Sequence, residues 1–168
     1  MPKIIENVKD RLIAEAEKQI EAFGYHAVNI RSVAKACGVG VGTVYNYFPS
    51  KEALIATHLL VDWKECVDTI TRAAESAADP KPVLQCIYQQ LVRFADRHQK
   101  IFRDEAAAAS FAGSFSQYHD RLRSQLAQPL RKFCDSDFTA QFVAEGLLTW
   151  SMAGKSFDTI YELLKKLF

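Results

Sequence analysis

The stretch NIRSVAKACGVGVGTVYNYF, residues 29–48, decides how this chain is to be read. Its residues Ile30, Val33, Ala34 and Cys37 fall three and four apart, the spacing of one face of a short helix. Asn29 stands just before them, where its side-chain oxygen can accept a backbone N–H left free at a helix start. Gly38 closes that helix, and Val39 points back as a hydrophobic plug. A second short helix carries Val41, Val44 and Phe48 on its inner side. It stops at Pro49-Ser50, because proline disfavours helical geometry in the residue before it. Two brief helices joined by a glycine turn and locked by apolar residues make a helix-turn-helix.

In such a unit the second helix exposes its first turn and outer face to a major groove. Here that face carries Gly40, Gly42, Thr43, Asn46 and Tyr47, with Tyr45 at the flank. Gly40 and Gly42 have no side chain to hold the backbone away from a phosphate. Thr43 offers a hydroxyl to a phosphate and a methyl to a thymine, and Asn46 has the donor–acceptor pair that reads an adenine edge. Tyr45 and Tyr47 carry phenols that can donate to backbone oxygens. Arg31 before the turn and Lys51 after it supply cations at the two margins.

Working outward, Val8, Leu12, Ala16, Ile20 and Phe23 continue a stripe that begins at Ile5, predicting a helix that Gly24 ends in a left-handed cap. Downstream, Ser50 caps a long helix from Lys51 to about Ala77. Asp79-Pro80-Lys81-Pro82 is the clearest break in the chain. Beyond it the periodicity predicts helices over 84–98, 101–112, 115–133, 138–153 and 157–167, with Pro129 kinking or splitting the third. Asp135-Ser136-Asp137 is a polar capping turn, and Gly154-Lys155-Ser156 hinges the last pair. No repeat and no strand-like alternation interrupts this pattern. The expected fold is all-α.

Composition supports that reading without pointing to a partner. Of 168 residues 49% are hydrophobic and 24% charged, with only 7 glycines and 5 prolines, a balance that favours helices. The formal net charge is +1, so any affinity for nucleic acid must come from a local face rather than from bulk charge. Cys37, Cys66, Cys86 and Cys134 lie far apart with no Cys-x-x-Cys pair, and read as reduced thiols. The start Met1-Pro2-Lys3 runs straight into an amphipathic pattern, so a cytoplasmic protein without a leader or membrane span is expected. His26, His58, His98 and His119 are scattered, with no acidic or cysteine partner at ligand spacing, so neither a metal nor a cofactor is expected. No nucleophile elbow, phosphate loop or carboxylate pair suggests an enzyme.

The run GVGVGTVYNYFPSKEAL at 38–54 resembles the signature of the TetR/AcrR family of regulators, and FGYHAVNIRSVAKACGV at 23–39 resembles that family's first-helix end and second helix. The resemblance is sharp over the first third of the chain and rests only on the number and arrangement of helices thereafter. It implies a three-helix DNA-binding domain over 1–50, then a helical-bundle domain over 51–168 that binds a ligand and pairs with a second subunit. By position it assigns phosphate contacts to Thr43, Tyr45, Tyr47 and Lys51, and base contacts to Val41, Arg31 and Asn46. Where the family commonly has a serine and a polar or basic residue, this chain has Gly40 and Val41, implying fewer polar contacts with the operator.

The expected function is thus a homodimeric repressor released from double-stranded DNA by a small-molecule effector. The alternative is a helical protein-interaction module without DNA binding. Pairing through the last two helices is further suggested by Phe138, Phe142, Val143, Leu147, Trp150, Phe157, Ile160, Tyr161, Leu164 and Phe168, more apolar surface than one subunit readily buries. Trp63, Cys66, Tyr88, Phe102, Phe111, Phe115, Tyr118 and Trp150 could line a cavity or simply fill a core, so no effector residue is assigned.

Overall fold

A computed structural model describes residues 7–168, apart from the side chains of Ser114 and Phe115, and every regular element among them is helical. The ten α-helices are α1 (Val8–Phe23), α2 (Ile30–Cys37), α3 (Val41–Tyr47), α4 (Lys51–Ser76), α5 (Pro80–Arg97), α6 (Gln99–Phe102), α7 (Glu105–Phe111), α8 (Phe115–Ala127), α9 (Asp137–Met152) and α10 (Phe157–Leu164). Short 3₁₀ turns at Tyr25–Ala27, Ala112–Ser114, Gln128–Phe133 and Lys165–Leu167 link or end them. Ile5 lies outside the described residues.

The described residues form two compact units, one of 7–62 and 98–112, the other of 63–97 and 113–168. The division falls inside α4, between Asp62 and Trp63, whereas the sequence reading divides the chain at 50/51. The reason is physical: the first half of α4 has its apolar residues Leu54 and Ile55 in the same core as α1–α3, together with Ile101 of α6 and Ala107 of α7. A run distant in sequence thereby completes the core of the first unit.

That core is built from α1, α2 and α3. Leu12, Ala16 and Ile20 meet Val33, Ala34 and Val44, all buried. The side-chain oxygen of Asn29 accepts from Ser32 N at 2.9 Å while Ser32 Oγ accepts from Asn29 N, a reciprocal cap that satisfies two free donors. Gly38 takes the left-handed conformation (φ 67°, ψ 31°) that ends α2, and Val39 N donates back to Ala34 O at 3.0 Å. Arg11 Nη2 donates to the Cys37 carbonyl at 2.8 Å, tying α1 to the end of α2.

Three expectations are corrected in this unit. Gly24 has positive φ but extended ψ (82°, 166°), so α1 ends without a left-handed helical cap. Phe23 is exposed; Tyr25, in the following 3₁₀ turn, fills the core instead, its ring edge-on to Phe111. The predicted helix over 101–112 is two helices, because Asp104 accepts from Ala106 N and Ala107 N and starts α7 afresh.

The second unit packs α5, α8, α9, α10 and the later half of α4 around Ile70, Leu84, Ile87, Leu126, Val143, Leu147 and Ile160. Trp63 Nε1 donates to Gln125 Oε1 at 2.7 Å. Pro129 splits the predicted 115–133 helix into α8 and a 3₁₀ turn. Ser136 caps α9 through Thr139 N at 3.0 Å. The apolar residues of the last two helices divide cleanly. Val143, Leu147, Ile160 and Leu164 are buried within their own unit, while Phe138, Phe142 and Trp150 of α9 and Leu163 of α10 face outward.

Candidate nucleic-acid interface

Every residue singled out for DNA contact lies between Arg31 and Lys51, within the first unit. What holds α3 is one buried side: Val44 and Phe48 are sealed into the core, and Phe48 ends the helix with extended backbone before Pro49. Val41, expected on that inner side, is instead exposed, since the core contact begins one turn further along. It joins the outward surface of α3.

The opposite side of α3 is open. Tyr45 and Tyr47 are 52% and 47% exposed, and Asn46 is exposed between them. Thr43 is half-buried. Gly40 is the N-cap residue, with its carbonyl accepting from Thr43 N (3.0 Å) and Val44 N (3.3 Å). Its φ of −71° is open to any residue, and a Cβ at Gly40 would come no nearer than 3.8 Å to Thr43 Oγ1; at Gly42 it would meet nothing within 4 Å. The fold therefore does not require glycine at either place. Arg31 is exposed in the first turn of α2.

Lys51 is placed differently from the others. It opens α4 half-buried, with Nζ donating to the Tyr25 carbonyl at 2.6 Å and lying 3.9 Å from the Tyr25 ring centroid. Burial pulls its ammonium below the usual lysine range, with Glu52 and Asp104 opposing the change. The cation is thus anchored to the core by one donor, which leaves two N–H groups for a phosphate.

The remaining candidates separate by unit. Trp63 and Cys66 are core residues, Tyr88 is half-buried with its hydroxyl donating to Lys155 O, and Tyr118 and Trp150 are exposed. Phe102 and Phe111 belong to the first unit, and the Phe115 side chain lies outside those described. Burial pushes the Cys37, Cys86 and Cys134 thiols up, away from the thiolate that redox chemistry needs. One grouping escapes the sequence reading. His58 and Asp62 lie one helical turn apart on α4, and His98 joins them through the fold. The expectation that no histidine has an acidic partner at ligand spacing is thereby corrected: His58 and Asp62 stand at i, i+4, and the third member, 36 residues beyond Asp62, joins them only in the fold.

A family model for bacterial regulatory proteins of the tetR family matches residues 12–57, the segment that holds α2, α3 and the start of α4. The uncharacterized HTH-type transcriptional regulator YhgD of Bacillus subtilis is 28% identical over 152 residues, covering 79% of this chain and 76% of its own. The HTH-type transcriptional repressor KstR of Mycobacterium tuberculosis is 31% identical over 123 residues, 73% of this chain and 52% of its own, so the chain spans about half the length of that relative. The crystal structure of a transcriptional regulator from Cytophaga hutchinsonii superposes with a TM-score of 0.67 over 94% of this chain and 90% of that one. At 19% identity this last likeness speaks for the fold alone.

Proposed function

We propose, of a chain that belongs to the TetR family of bacterial regulatory proteins and is a DNA-binding transcription regulator, that it acts as a homodimeric repressor. It reads its operator through α3 and leaves it when a small molecule binds. The observation that carries the reading is the outward side of α3. Two phenols, an amide and two glycines that the fold does not need stand open on a helix anchored by Val44 and Phe48.

In this reading Thr43, Tyr45, Tyr47 and Lys51 hold phosphates, Gly40 and Gly42 let the backbone come close, and Arg31, Val41 and Asn46 face the bases. With seven residues α3 is only about 10 Å long, and at 3.4 Å per base pair it spans about three pairs. One copy reads too little to find a site in a genome. A two-fold dimer sets two such helices about 34–36 Å apart, on successive turns of one duplex face. The exposed apolar residues of α9 and α10 support pairing through those helices. An effector favouring a conformation with the two α3 copies wrongly spaced would lower DNA affinity by its differential affinity for that state.

The role is a binding one, without catalysis, and belongs in the cytoplasm, where the DNA is. Among the described residues no helix is long and apolar enough to cross a membrane. The relatives' names do not favour the alternative of a protein-interaction module.

Fluorescence anisotropy with duplexes from the region beside the chain's own gene tests the proposal. The wild type binds one segment with a steep salt dependence. Tyr47→Phe, which deletes a single hydroxyl from an exposed position, weakens that binding about tenfold without moving the Tm. If no duplex binds even at low salt, the repressor reading is lost and the interaction module returns.

A further inference from the structure

Three groups that ordinarily seek water are buried together inside the first unit. His58 and His98 are each 3% exposed and Asp62 8%, and one ligand atom from each lies within 4.8 Å of the others. Core residues flank them: Leu54 and Ile55 precede them on α4, Ile101 follows His98 on α6, and the Phe102 ring meets His98 edge-on at 6.2 Å. His98 Nε2 and Asp62 Oδ2 are 2.9 Å apart, and the His58 and His98 rings stand 5.0 Å apart at 77°.

Stability does not account for such a set. A buried imidazole–carboxylate pair gains little over well-packed apolar residues of the same volume, because desolvation offsets its attraction. A second buried imidazole adds a further polar group to be satisfied. Two imidazole nitrogens and one carboxylate oxygen are, however, a complete set of protein ligands for a metal ion that keeps its fourth position open.

We infer that His58, Asp62 and His98 form a binding site for a divalent transition ion of the zinc class. The donor set selects the class. Imidazole nitrogen suits Zn²⁺, Co²⁺ and Ni²⁺, whereas Mg²⁺ and Ca²⁺ require oxygen ligands throughout. Ligand atoms about 2.0–2.1 Å from a tetrahedral Zn²⁺ stand about 3.3 Å from each other. Drawing in ligand atoms that already lie within 4.8 Å of one another to that spacing takes side-chain movements on the order of 1 Å. A proton carried on either ligand atom, His98 Nε2 or Asp62 Oδ2, leaves to solvent as the ion binds, and water or a small anion takes the fourth position.

The site joins α4 to the start of the segment 98–111. That segment already grips the DNA-binding helices of the same unit, through Ile101 and Ala107 in the shared core, Lys100 Nζ bonded to the Glu21 carbonyl, and Phe111 against Tyr25. A bound ion would therefore clamp the unit that carries α3. The inference rests on the ligand cluster and not on the operator reading.

Untagged full-length chain is stripped with chelator, dialysed, and titrated with Zn²⁺ by calorimetry and with Co²⁺ by its visible spectrum. One ion per chain is expected, with a Co²⁺ spectrum of low-coordinate nitrogen–oxygen type. At about a hundredfold excess over Kd the Tm rises roughly 5–10 °C. His58→Gln, Asp62→Asn and His98→Gln each weaken binding about a hundredfold or more. Failure of the folded wild type to take up a stoichiometric ion overturns the inference, whatever the variants do. So does uptake that persists unchanged in the variants, or a thiolate-type Co²⁺ spectrum, either of which would place the ion elsewhere.

Discussion

Gly42 and Lys51 stand at opposite ends of the question of what a residue in the proposed DNA-binding surface is for. Nothing in the fold holds Gly42 to glycine: its φ is not positive and an added methyl would meet no atom within 4 Å. Glycine in a helix costs up to about 1 kcal/mol relative to alanine, so the fold alone would prefer the larger residue. We therefore expect Gly42→Ala to raise the Tm by about 2–4 °C while weakening operator affinity about tenfold, as the methyl holds the backbone off a phosphate. Paired thermal-melt and anisotropy measurements decide it; greater stability with full affinity would remove Gly42 from the interface. Lys51 is the reverse case. Its Nζ is bound to the Tyr25 carbonyl, so removing it forfeits a charged hydrogen bond of about 1.5–3 kcal/mol inside the fold, and any loss of DNA affinity would mix two effects. Tyr47, exposed and outside the core, gives the cleaner test.

Among the helices, those with strong end signals were legible and those whose signals lay within an apolar run were not. Asn29 and Gly38 bracket α2 in the sequence, and they cap it in the structure. Pro129 announces the end of α8 because a missing N–H leaves little choice. Asp104 sits inside a stretch whose alanines and phenylalanines suit one continuous helix, so its capping role, which separates α6 from α7, was masked. Phe23 and Val41 show another limit: periodicity assigns a face, yet at a helix end the neighbour that would cover that face is a tertiary matter. The α3 surface was readable from local residues alone, whereas His98 reaches His58 and Asp62 only through folding. The Asp104 cap carries a testable pH dependence. The backbone N–H of Ala107, then that of Ala106 and the His26 ring 3.6 Å away, holds its carboxyl below the usual range. A carboxyl with a depressed folded pKa contributes stability above its unfolded pKa of about 3.9, and the contribution is lost as pH falls through the folded value. Asp104→Asn keeps a capping oxygen but cannot titrate. The Tm gap between wild type and variant should be open at about pH 5 and shrink below about 4. A gap that holds unchanged to pH 3 would show that the charge contributes nothing.

For the molecule as a whole, the unresolved apolar surface is on α9 and α10. Phe138, 77% exposed, and Phe142 stand four residues apart on α9 with their rings 6.3 Å apart, Trp150 follows two further steps of four along, and Leu163 is exposed on α10. The same helices bury Val143, Leu147, Ile160 and Leu164 within their own unit, so their outer faces add nothing to the fold of one chain and leave large rings in water. Large exposed aromatics at regular spacing mark a surface that another protein covers, and a two-fold pairing of like surfaces is the commonest way. A double change, Phe138→Lys with Phe142→Lys, places two like charges on each side of such an interface while touching no core residue. Sedimentation should find the wild type at twice the chain mass and the variant at the mass of one chain, with the same far-ultraviolet helicity. Because a dimer binds its second half-site intramolecularly, the variant should also lose about a hundredfold or more in affinity for a two-half-site operator, while its weak affinity for an isolated half-site is unchanged. A variant that remains dimeric would move the interface off α9, and a monomeric variant with full operator affinity would show that pairing is not how this protein gains its specificity.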